Sequence, residues 1–163
     1  MAHRDYEEFF ELLNANGVKF LIVGAHAVAF YARPRATKDI DILHEATEES
    51  AVGILKAIRA FFGGYDLGLT IDDLCNPDLI VQLGVAPVRI DLMGSISGIS
   101  SFEHVWLKRK KGRYGEVDVS YISLNDLIRN KEKANREQDK ADLRYLKQAK
   151  TRKKGKWEKR VWG

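Results

Sequence analysis

Tyr6, Phe9, Phe10 and Leu13 recur at helical spacing beside Asp5-x-x-Glu8, which predicts a capping box and an amphipathic helix ended by Gly17. A continuous apolar run over 18–23 follows and predicts a buried strand. Ala25 to Ala32 suits a short helix that stops before Pro34, because the residue preceding a proline avoids the helical region. Lys38 to Leu43 predicts a second strand. Thr47, with Glu48 and Glu49 behind it, caps a third helix whose apolar stripe is Val52, Leu55, Ile58 and Phe62, closed by Gly63-Gly64. The stretch 65–77 is irregular.

Leu79 to Leu83 and Val88 to Met93 predict two strands joined across Gly84 to Pro87. Ser100-x-x-Glu103 caps a short helix through Leu107, and Val117, Val119 and Tyr121 alternate with polar residues as in a hairpin or a pair of edge strands. Ser123-x-x-Asp126 opens a helix, and another passes through Ala141 to Leu146. The order predicts an α/β (α+β) fold with a mixed sheet flanked by helices and further helices at the C-terminal end. A single domain is expected over 1–146, with its core at about 18–122, a helical part at 123–146 and a basic tail at 147–163.

Composition narrows the class. The chain has 163 residues, 45% hydrophobic and 31% charged, which is ordinary for a globular domain able to bury a core. No apolar run reaches the roughly 18 residues of a bilayer span, and the acidic, amphipathic start does not resemble a signal peptide. The single Cys75 excludes an internal disulfide, so a cytoplasmic protein with no membrane partner is expected. The net charge of +4 hides an asymmetry: from Lys147 onward eight Lys and Arg face one acid, Glu158. A basic tail on a slightly acidic body suits a polyanion partner, or is a solvated end.

The densest chemistry lies in "GAHAVAFYARPRATKDIDIL", residues 24 to 43. On a strand, residues i and i+2 share a face, so Asp39 and Asp41 point the same way with carboxylates ~6–7 Å apart. Such a pair is costly to desolvate unless a cation lies between them. Hard oxygen ligands suit Mg²⁺ or Mn²⁺, and a third carboxylate would allow two ions. Asp91, in "VRIDLMG", and Asp118, in "EVDVSY", both qualify by alternation. Asp91 is favoured, because it follows a core-like run and precedes Gly94, whereas Asp118 lies in a Lys-rich hairpin. Upstream, the strand that ends in Gly24 and opens a helix offers free backbone N–H groups and a positive helix terminus to a phosphate.

This combination resembles the nucleotidyltransferase superfamily of the polymerase-beta-like fold, and within it the small bacterial minimal nucleotidyltransferases and the toxin nucleotidyltransferases of abortive-infection systems. The chain matches their Arg-x-Thr-x-Asp-Ile-Asp as Arg35-Ala36-Thr37-Lys38-Asp39-Ile40-Asp41, with Gly24 as the first glycine and Asp91 as the third acid. "DLIRNKEKANREQDKADLRYL" resembles the family's helical motif through Leu127-Ile128, Lys131, Arg136, Asp139 and Asp142-Leu143.

The resemblance implies a catalytic, metal-binding set of Asp39, Asp41 and Asp91 holding two Mg²⁺ or Mn²⁺ ions. It also implies binding of a nucleoside triphosphate around Gly24, Ala25, His26, Arg35, Thr37 and Lys131, with Arg136 and Asp139 in support. The reaction implied is transfer of a nucleoside monophosphate to an acceptor hydroxyl on tRNA, another RNA or a protein, in a toxin with a cognate antitoxin. Trp157 and Trp162, among the tail lysines, would stack RNA. Ala25 stands where the family carries Gly or Ser, which keeps open a catalytically inactive member that binds RNA, nucleotide or a partner chain. A two-metal nuclease shares the carboxylates but leaves the Gly24 turn unexplained.

Overall fold

The computed structural model describes residues 2–162, with side chains described as far as Lys153. Those of Trp157 and Trp162 therefore lie outside the described residues. Helix α1 (Arg4–Ala15) buries Tyr6, Phe9, Phe10 and Leu13. Its cap is His3, two residues before the expected Asp5–Glu8 box: the imidazole Nδ1 accepts from the Asp5 amide at 3.1 Å. Strand β1 (Phe20–Val23) is buried along its whole length and leads directly into helix α2 (Gly24–Tyr31). Strand β2 (Asp39–His44) follows.

Helix α3 (Glu48–Phe61) is capped by Thr47, whose hydroxyl accepts from Ser50 N at 3.2 Å. Its inward face is Ala51, Ile54, Leu55 and Ile58, while Val52 is exposed, so the expected stripe is rotated. Small residues decide this. A Cβ on Gly53 would come within 2.8 Å of Val18 Cγ2, so the helix can press its Ala and Gly positions against the α1–β1 corner.

The stretch read as irregular holds helix α4 (Ile71–Cys75), opened by a reciprocal capping box in which Asp73 N donates to the Thr70 hydroxyl and Thr70 N to the Asp73 carboxylate. Strands β3 (Ile80–Val85) and β4 (Val88–Met93) form a hairpin. The run before Asp91 is less core-like than expected, since only Val81 and Leu83 of β3 are buried. Helix α5 (Phe102–Leu107) is capped by Ser101 rather than Ser100. Strands β5 (Lys110–Tyr114) and β6 (Val117–Tyr121) form the second hairpin. Helix α6 (Leu124–Ala134) starts at the expected Ser123 cap, and α7 (Glu137–Trp162) continues without a break past Lys147.

The six strands form one mixed sheet in the order β3-β4-β2-β1-β6-β5. β1 runs antiparallel to β2 and parallel to β6, and β2 runs parallel to β4. α2 packs on β1 and β2 and is backed by α6 and α7. The architecture is the expected α/β one, a mixed sheet flanked by helices with two more at the C-terminal end. Among the described residues no helix is long and apolar enough to cross a membrane.

Candidate active site

Parallel pairing of β2 with β4 sets Asp41 beside Asp91 and Asp39 beside Arg89. Period-two alternation then directs all four side chains to one face, away from the fully buried Ile40 and Ile42. One oxygen from each of Asp39, Asp41 and Asp91 lies within 4.8 Å of the other two, closer than spacing along a single strand requires. Asp118 is remote from this chemistry: it is exposed in the β5–β6 hairpin and pairs with Arg113 at 3.3 Å.

Arg89 fills the gap between the acids. Its Nη2 donates to Asp39 Oδ2 at 2.5 Å and to Asp91 Oδ2 at 3.2 Å, and its Nε donates to Asp91 Oδ1 at 3.1 Å. The Thr37 hydroxyl donates to the other Asp39 oxygen at 2.9 Å, so Thr37 orients a carboxylate as well as the turn. The sequence reading missed Arg89, although a signal was present: it lies two residues before Asp91 on a strand and must share its face.

Gly24 explains how the third carboxylate fits. It has φ +65° and begins α2, and a Cβ there would overlap Oδ2 of Asp41 and lie 3.0 Å from its Cγ. Asp41 therefore rests against the first turn of α2, where Val23 supplies no side-chain cap and backbone N–H groups are free for an anion. Burial, reinforced by the charges of Asp39 and Asp91, pushes the Asp41 carboxyl up to about 6. Burial also raises Asp91, against the opposing pull of Arg89.

The opposite wall comes from α6 and α7. Lys131 is buried, with its ammonium 3.1 Å from Asp139 and 3.2 Å from Asp142. Arg136 donates to Asp139 through Nε at 2.7 Å, and Arg35 pairs with Asp142. Burial works to raise the Asp139 carboxyl, but the hydrogen bonds from Arg136 and Lys131 outweigh it and hold it below the usual carboxylate range. Asp142 is the second residue whose part the sequence did not reveal; it lies one turn after Asp139 and therefore on the same helical face.

Gly24, Ala25, Arg35, Thr37, Asp39, Asp41, Asp91, Lys131 and Arg136 all line one cleft of about 730 Å³. Asp139 sits behind that wall. His26 does not line the cleft and turns the other way, its ring 5.9 Å from that of Tyr6 and 5.8 Å from that of Tyr114. Burial lowers its pKa, so the imidazole brings no charge toward a phosphate.

Three carboxylates without a nitrogen or sulfur donor among them form a hard oxygen set that could hold a metal ion such as Mg²⁺ or Mn²⁺. No curated protein matches the chain significantly. Over residues 2–162, nearly the whole length, the sequence matches the family described as "Nucleotidyl transferase of unknown function (DUF2204)", and the chain belongs to that family.

Proposed function

We propose that the protein is a divalent-metal-dependent nucleotidyltransferase that moves a nucleoside monophosphate from a nucleoside triphosphate to an acceptor hydroxyl. The observation that carries this reading is the convergence of Asp39, Asp41 and Asp91 beside the Gly24 turn. In the reaction the acceptor oxygen bonds to the α-phosphorus, the α–β bridging bond breaks, pyrophosphate leaves, and the hydroxyl proton passes to solvent. Asp39, Asp41 and Asp91 would hold Mg²⁺ or Mn²⁺, which when bound neutralises phosphate charge and makes the acceptor hydroxyl easier to deprotonate.

Electrostatics supports metal dependence. The cleft and its wall carry five carboxylates (Asp39, Asp41, Asp91, Asp139 and Asp142) against four cations (Arg35, Arg89, Lys131 and Arg136). A net charge of −1 repels a triphosphate, and one divalent ion reverses its sign. The chain's own residues then position the phosphates: α2 offers N–H groups at Gly24 and Ala25, and Arg35 and Arg136 present guanidinium groups from the wall. Lys131 acts there through its field rather than by reaching out, because two buried carboxylates hold its ammonium.

The acceptor is proposed to be RNA, tRNA included, guided by the basic residues that α7 carries from Lys147. A toxin with an antitoxin partner belongs to the same proposal. The Arg89 bridge favours one alternative, a member of the fold that binds nucleotide without transferring it, because Asp39 and Asp91 already share an internal counter-ion. Incubation with each α-labelled triphosphate, Mg²⁺ and total RNA or lysate separates the two. Labelled macromolecule is expected; none from any of the four triphosphates leaves the non-catalytic reading standing.

A further inference from the structure

The geometry points to Arg89 as an internal counter-ion of the carboxylate trio, one that a divalent ion must displace in order to bind. This inference rests on the metal-site reading above.

Oxygen occupancy carries the argument. Arg89 engages both oxygens of Asp91 and one of Asp39, and Thr37 takes the other oxygen of Asp39. Among the described residues only Asp41 of the three acids receives no side-chain hydrogen bond. An ion bound to all three acids therefore needs oxygens that the guanidinium holds, and two cations cannot share that space without strong repulsion.

Arginine cannot resolve the conflict by losing its proton, so it has to move. Movement is feasible: the Arg89 side chain is about one-third exposed at the cleft, and its long stem can swing without disturbing β4. In the metal-free protein the same bridge makes three converging acids tolerable. Arg89 thus sets the threshold for metal loading, acting through the ligands rather than on substrate.

The test is a calorimetric Mn²⁺ titration of wild type, Arg89→Met and Asp39→Asn, with thermal melting of each in chelator and in Mn²⁺. Removing the competitor is expected to tighten Mn²⁺ binding about tenfold, because strong charge-assisted hydrogen bonds no longer oppose it. Arg89→Met should also melt below wild type in chelator and gain more from Mn²⁺. Arg89→Lys keeps the charge without the fork and should shift affinity the same way by a smaller step, so the test survives if the methionine variant does not fold. Equal or weaker Mn²⁺ binding by both Arg89 variants, with wild-type binding intact and lost in Asp39→Asn, overturns the role of Arg89 alone. If no protein shows Mn²⁺ binding that depends on Asp39, the metal-site reading falls and this inference with it.

Discussion

The carboxylate of Asp41 occupies the space that a side chain on Gly24 would need. The glycine turn and the second acid of Asp39-Ile40-Asp41 are thus one construction, with the first turn of α2 and the face of β2 in contact through a missing Cβ. The positive φ of Gly24 adds a backbone reason for glycine at the same point.

Gly24→Ala is therefore expected to lose about 1–2 kcal/mol to backbone strain, and more from pushing Asp41 aside. Chemical denaturation measures the loss. In the double variant Gly24→Ala, Asp41→Ala the steric part disappears, so the two losses should not add. Simple additivity would mean that the two residues do not share the space.

Lys131 has a structural duty as well as a place in the cleft. Replacing it with Met removes the cation that Asp139 and Asp142 share, leaving Arg136 and Arg35 as their remaining partners, and is expected to cost about 1.5–3 kcal/mol in urea denaturation. A loss below about 1 kcal/mol would show that the ammonium is free to serve a phosphate instead.

Asp41 supplies a pH signature in the metal-free protein. Its folded value of about 6 lies above the 3.8 of an ordinary aspartate, so the folded state holds this proton more tightly than the unfolded chain does. Its ionisation is a cost fully present above pH 6 and relieved as pH falls from 6 toward 4. In chelator the melting temperature of wild type should rise across that window relative to Asp41→Asn, whose amide does not titrate. Parallel curves for the two proteins would contradict the buried, like-charged setting of Asp41.

The basic end of α7 predicts a salt effect. Removal of residues 147–163 deletes eight Lys and Arg, so RNA affinity should drop. Log K should also fall less steeply with log salt, by roughly 0.7 for each RNA phosphate that the segment no longer neutralises. Filter binding between low and physiological salt reads both. Unchanged affinity and slope would make the segment a solvated end.

Much of the fold was legible because it is written in local periodicity. The apolar face of α1, the Thr47 and Ser123 caps and both hairpins follow from the spacing of residues near one another in sequence. α4 was legible in principle, since Thr70-x-x-Asp73 spells a capping box, but five residues carry too little apolar pattern to stand out. The rotated stripe of α3 was not legible, because spacing defines a face only up to the partner it meets, and Gly53 and Val18 decide that partner.

The site divides the same way. By itself the sequence determined that Asp39 and Asp41 share a face and that a glycine turn precedes them, because strand period and left-handed backbone are properties of the local chain. Only the tertiary structure decided that Asp91 sits beside Asp41 while Asp118 faces solvent, that Arg89 bridges two of the acids, that Lys131 is held by Asp139 and Asp142, and that His26 turns toward Tyr6 and Tyr114. Which strands adjoin, and in what register, depends on how whole apolar faces are buried together, a condition set by residues far apart in the chain.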